Sequence, residues 1–159
     1  MLANADDLVS LESAEGEILA SLVIRPEFWP RMKTVESHWF SRGEDRLLFR
    51  SLKFAAEQND GFADPVTAKN FIEAKFPEQS SSLINRLAGH VCRNYGAGPL
   101  ADSLFEFHFR LLQTNGIRRT HLKWARAISL CCEERRSLAE LRELVDDKPS
   151  FPSLEGVGE

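Results

Sequence analysis

The sequence predicts an all-α fold, a compact bundle of about six helices followed by a helical hairpin. Three observations predict it. At least five segments place apolar residues three and four apart, as one face of a helix requires. Alternation of apolar and polar residues is never sustained and β-branched residues are sparse, so no strand is supported. Capping and breaking residues fall where helices of ordinary length would begin and end. The 159 residues are enough to bury a core without disulfides or metal, and 43% hydrophobic with 28% charged residues is ordinary for a globular chain.

The first element is "SLESAEGEILASLV" (10–23). Ala14, Ile18 and Leu22 share a face, with Leu19 and Val23 beside them. Glu12, Glu15 and Glu17 fall elsewhere, and their charge is read as sitting in the first turns, where the helix dipole favours it. Pro26 opens a short helix whose length Pro30 limits. "SRGED" (41–45) separates this from a run in which Leu48, Leu52, Ala55 and Ala56 share a face, with Phe49 close by. "NDG" (59–61) ends that run, Asn and Gly suiting a left-handed cap.

In "DPVTAKNFIEAKF", Asp64 is the N-cap and Pro65 the first helical residue. A further helix runs from about Ser82 to Arg93 on Leu83, Leu87 and Val91, and "YGAGP" (95–99) breaks the chain. Beyond it Leu104, Phe105, Phe109 and Leu112 make one stripe, and Trp124, Ala125 and Ile128 a second. "TNG" (114–116) is a turn or a tolerated kink, and two packed helices are expected between 100 and 134. "SLAE" (137–140) is a capping box opening a last helix through about Asp146. "KPSFPSLEGVGE" has no periodicity and reads as a mobile tail. The expected organisation is a globular bundle at 1–95, a C-terminal hairpin at 96–147 and a tail at 148–159.

Chemistry is hard to find. A formal net charge of −4 argues against a uniformly basic nucleic-acid binder. The three cysteines, Cys92, Cys131 and Cys132, are odd in number and two are adjacent, which points to reduced thiols and a cytoplasmic protein. No basic region precedes an apolar run at the N-terminus, and no apolar stretch approaches the roughly 20 residues a membrane span needs. There is no "GK" to serve a phosphate-cradling loop, no second pair of thiols or imidazoles at zinc spacing, and no "GxSxG". His38, beside Trp39 and Phe40, reads as a loop or core-edge histidine. Glu133 and Glu134 diverge on a helix. The expectation is a non-enzyme with no catalytic, cofactor or metal residues.

One charge pattern stands out. Between residues 107 and 132, Arg110, Arg118, Arg119, Lys123 and Arg126 occur with no Asp or Glu, while "AELRELVDD" just downstream is mostly acidic. Solvated faces of two packed helices with complementary charge would explain it. So would a partner surface, either for an acidic protein patch or for a phosphate backbone. A two-helix extension covers only one side of itself, so the expected interface comprises Phe105, Phe109, Leu112, Arg118, Arg119, Lys123, Trp124, Arg126 and Ile128.

Five stretches together resemble one family. "SLESAEGEILASLVIRPEFW", "WFSRGEDRLLFRSL" (39–52), "FADPVTAKNFIEA" (62–74), "LADSLFEFHFRLLQ" (100–113) and "IRRTHLKWARAIS" (117–129) follow, in order, the helical pattern of the N-terminal domain of DnaB-type replicative helicases. Asp64 and Thr67 stand at that family's Asp-x-x-Thr helix start. Asp45 stands where it usually has His, "FPEQSSS" replaces its Gly-Gly turn, and the RecA-like motor has no counterpart here. The helicase-binding C-terminal domain of DnaG-type primases is similar in plan. "FIEAKFPEQSSSLINRL" and "LADSLFEFHFRLL" fit it nearly as well. Either resemblance implies a non-catalytic protein–protein module of the replication machinery. Its partners would be a replicative helicase or primase, a second copy of the chain and, weakly, DNA. The alternative is a free-standing DNA-binding or regulatory protein using the basic 107–126 stretch.

Overall fold

A computed structural model describes residues 5–95 and 102–150, with side chains at 13–93 and 105–150. Seven α-helices and no strand occur among these residues. Helix α1 spans Ala5–Ile24. A 3-10 turn at Pro26–Phe28 runs into the one-turn α2, Trp29–Met32, so Pro26 does open a short helical stretch. A second 3-10 turn covers Ser37–Trp39. Then come α3 (Gly43–Gln58), α4 (Pro65–Lys75), α5 (Ser80–Tyr95), α6 (Asp102–Glu133) and α7 (Leu138–Asp146).

The local signals explain most of the boundaries. Asp64 caps α4, its carboxylate accepting from the Thr67 backbone N–H at 2.9 Å and from the Thr67 hydroxyl at 2.7 Å, with Pro65 at the first helical position. Ser137 caps α7 through the Glu140 N–H at 3.2 Å. At the end of α3 the left-handed residues are Asp60 (φ 52°) and Gly61 (φ 92°), whereas Asn59 has φ −123°. Asn59 contributes through its side chain instead, donating to the Ala55 carbonyl, while the Gly61 N–H closes on Ala56 O at 2.8 Å.

Two expectations about helix extent are corrected. The first helix begins at Ala5, so Glu15 and Glu17 sit in its interior rather than in its first turns. Residues 100–134 do not form two helices: α6 is continuous through Thr114–Gly116. The Thr120 hydroxyl donates back to Gly116 O at 2.8 Å and the His121 Nδ1–H to Ile117 O at 2.9 Å, so side chains bond the carbonyls around the glycine. One helical glycine costs about 1 kcal/mol, too little to break a 32-residue helix.

Contacts divide the chain into two compact units, Met1–Gln113 and Thr114–Glu159. The division falls inside α6, later than the 95/96 boundary expected from sequence, because Phe105, Phe109 and Leu112 on its first turns join the first unit's core. "GAGPL" and most of the expected tail lie outside the described residues.

In the first unit α1 packs on α5 and α3, α3 on α4, and α4 on α5. The core gathers Ile18, Leu19 and Leu22 from α1, Leu48, Phe49 and Leu52 from α3, Ile72 from α4 and Leu83 from α5. Phe28 stacks on Phe105 with centroids 3.9 Å apart and planes 8° from parallel. Arg31 bonds Glu106 at 2.8 Å and lies over the Phe109 ring, and His108 pairs with Glu17. These contacts tie the start of α6 into the first unit.

Candidate docking surface and buried polar cluster

The second unit consists of the later turns of α6, the turn at 134–137 and α7. Arg135 closes α6 in the left-handed conformation (φ 51°), with its own N–H on Cys132 O and the Arg136 N–H on Cys131 O. The chain then reverses, and the Trp124 indole N–H donates to Leu144 O at 2.6 Å. Trp124 and Ile128 share one side of α6 and are half-buried, as are Leu141 and Leu144 of α7.

Cys131 is the only buried apolar side chain among the described residues of this unit. Large apolar side chains stand out instead: Leu122 is 49% exposed, Leu130 47%, Leu138 82% and Val145 48%. On α6, helical spacing sets Arg119, Lys123 and Arg126 along one stripe with Leu122 and Leu130 beside it, away from Trp124. Arg118, Lys123 and Arg126 are exposed, and Arg119 is half-buried. The exposed surface is thus leucine and cation together.

The nine residues expected to form one interface divide between the two units. Phe105, Phe109 and Leu112 are 1%, 5% and 0% exposed and belong to the first unit's core. The aromatic stripe of α6 is covered by Phe28 and Arg31, so it offers no open face. The other six lie on the second unit, with Trp124 and Ile128 on one side of α6 and the cations on another.

A second constellation escaped the sequence reading. Glu15, Asp45 and His90, from α1, α3 and α5, are all buried. Asp45 takes a two-pronged contact from Arg86, Nε at 2.7 Å and a terminal nitrogen at 2.9 Å, and one from His90 Nε2 at 3.2 Å. Arg93 donates to His90 Nδ1 at 2.8 Å. A guanidinium only donates, so in this contact Nδ1 accepts and Nε2 is the nitrogen directed at Asp45. Burial pushes the Asp45 carboxyl up, but the Arg86 hydrogen bonds, and then His90, outweigh it and hold the group below the usual carboxylate range.

Glu15 accepts from both the backbone N–H and the hydroxyl of Ser41 at 2.8 Å. Beside it Gly16 lets the His90 ring approach so closely that a Cβ there would lie 2.6 Å from Nδ1. An aspartate orienting a histidine is also the geometry of a general base. Here, however, Arg93 occupies the second nitrogen and the ring is 4% exposed. The Asp45 contacts join α3 to α5, and the close approach of Gly16 to His90 brings α1 against them. The expectation that Glu15 falls off the apolar face is corrected: it is buried between Leu19 and Leu22 on that face.

Among the described residues no group of three or more His, Cys, Asp or Glu could hold a metal ion. No described helix is long and apolar enough to cross a membrane. No protein-family model, curated protein sequence or solved structure matches the chain.

Proposed function

We propose that this chain is a non-catalytic docking module of the DNA replication machinery, joining a replicative helicase to a primase or helicase subunits to one another, and that the second unit makes the contact. The observation that carries the docking part is how little apolar surface the second unit's described residues bury. Among them four large apolar side chains are exposed and Cys131 alone is buried. Burying them against a partner gains roughly 25 cal/mol per Å², from which the cost of ordering is subtracted. The exposed cations beside Leu122 and Leu130 would set partner choice and on-rate more than affinity. The replication context rests on the resemblance of five stretches to the helicase domain and of two to its primase relative.

A DNA-binding reading of the same stretch draws support from the alignment of Arg119, Lys123 and Arg126 on one continuous helix. Leu122 and Leu130 beside that stripe favour a protein partner, since phosphates gain nothing from leucine.

The test is sedimentation velocity of the chain alone, with a replicative helicase and with a DnaG-type primase, at low and high salt. A complex or a self-associated species that survives high salt is expected. A monomer under every condition would overturn the proposal. Binding only to DNA, abolished by salt, would favour the alternative.

A further inference from the structure

We propose that a ring platform on the first unit, built by Phe54 and Phe71 between α3 and α4, binds single-stranded nucleic acid by base stacking. The inference stands apart from the docking role of the second unit. Phe54 is 37% exposed and Phe71 half-buried, and their rings stack with centroids 4.6 Å apart and planes 28° from parallel. Phe76 meets Phe71 edge-on at 6.0 Å, and the Arg50 guanidinium lies 5.6 Å from the centre of the Phe76 ring. These rings form a short column at the surface rather than part of the shared core, to which only Phe76 packs.

The charges around the column are mostly positive. Arg50 shares the α3 face of Phe54, Lys53 stands one turn after Arg50 on the flank of that face, and Lys75 lies one turn beyond Phe71 on α4. None of the three pairs with a carboxylate among the described residues, although Glu57 stands on the same α3 face. The nearest ion pair on α4, Lys69 with Glu73, lies on its outer side.

Cations flanking stacked rings suit a ligand that repeats a flat group and a negative charge at short intervals. A single strand is such a ligand, since every base has a π-face and every linkage a phosphate. A duplex keeps its base faces to itself. An acidic peptide would meet the cations but bring nothing to the stack. A base stacked on Phe54 would extend a column already two rings deep, and Arg50 could meet a phosphate while it stays over Phe76.

The probe is a fluorescein-labelled oligothymidylate of about 15 nucleotides, followed by anisotropy with the full chain. Three phosphate contacts predict that affinity falls roughly 20-fold between 50 and 200 mM salt. Phe54→Ala should weaken binding about fivefold or more, and Phe54→Trp should retain it. Arg50→Ala, Lys53→Ala and Lys75→Ala together should remove most of the salt dependence. Circular dichroism checks the fold of each variant, and the triple-cation variant decides the matter if Phe54→Ala unfolds.

Three results would overturn the proposal. One is no binding at low salt. Another is equal binding of polyglutamate, which would mean charge alone. The third is binding that ignores the α3 and α4 variants and is lost with Arg119→Ala, Lys123→Ala and Arg126→Ala. None of these outcomes touches the sedimentation result for the second unit.

Discussion

Gly16→Ala and Gly89→Ala are the same substitution in the interiors of two helices, and the structure assigns them opposite signs. Alanine is favoured over glycine in a helix by about 1 kcal/mol. At Gly89 of α5 a new Cβ meets nothing within 4 Å, so Gly89→Ala should stabilise by about that amount. At Gly16 of α1 the Cβ would stand 2.6 Å from His90 Nδ1 and 2.7 Å from Cε1, closer than real contacts allow. The ring has little room to retreat, because Asp45 and Arg93 hold its two nitrogens at 3.2 and 2.8 Å. Overpacking of this kind costs about 1–3 kcal/mol, and a displaced His90 would deprive buried Asp45 of a donor, a loss of similar size. Against the helix-propensity gain, Gly16→Ala should destabilise by roughly 1–3 kcal/mol net. Urea denaturation followed by circular dichroism measures both. A Gly16→Ala variant as stable as Gly89→Ala would refute the close α1–α5 approach and the cluster built around it.

Five further outcomes are expected. Asp45→Asn should cost about 3 kcal/mol, since it leaves Arg86 facing a neutral group. The folded-state pKa of Asp45 is lowered, so its contribution to stability is complete above the ordinary aspartate pKa, about 4, and is lost as pH falls through the depressed value. Wild-type denaturant midpoints should therefore fall on acidification, and less steeply in Asp45→Asn. Arg135→Gly should stabilise by about 1 kcal/mol in thermal melts, because a left-handed position no longer carries a side chain. Asp64→Ala should lower the denaturation midpoint, as two hydrogen bonds from Thr67 lose their acceptor. Purified protein should show no ATP turnover that scales with its concentration.

The sequence announced its helices where local chemistry alone sets them. Asp64 with Pro65 and Ser137 with Glu140 act within three residues, and both N-caps form, though at Ser137 the Glu140 N–H bond is made without the reciprocal side-chain bond of a full capping box. Thr114–Gly116 misled because a turn signal competes with the length of the helix around it, and α6 has enough residues on either side to absorb a glycine. The stripe at Phe105, Phe109 and Leu112 was legible as apolar, but what covers it was not. Phe28 and Arg31 arrive from some 75 residues away, and nothing local records the pairing. Phe109→Asp is consequently a core substitution, unsuited to probing an interface. The buried cluster was hidden for the same reason. Glu15, Asp45 and Arg86 each look solvated until the fold brings three helices together. The exposed leucines could be recognised only once Cys131 was seen to be the one buried apolar side chain among the second unit's described residues.

The central claim is that a partner covers the leucine and cation face of the second unit. Sedimentation velocity of Leu122→Asp with Leu130→Asp, in the presence of whichever helicase, primase or second copy the wild-type chain binds, tests it most directly. Both side chains are about half exposed, so the fold should survive, which circular dichroism checks. The account predicts a folded variant that sediments as a free monomer, while Phe54→Ala on the first unit still sediments in the complex. A folded double variant that associates as the wild type does would contradict it.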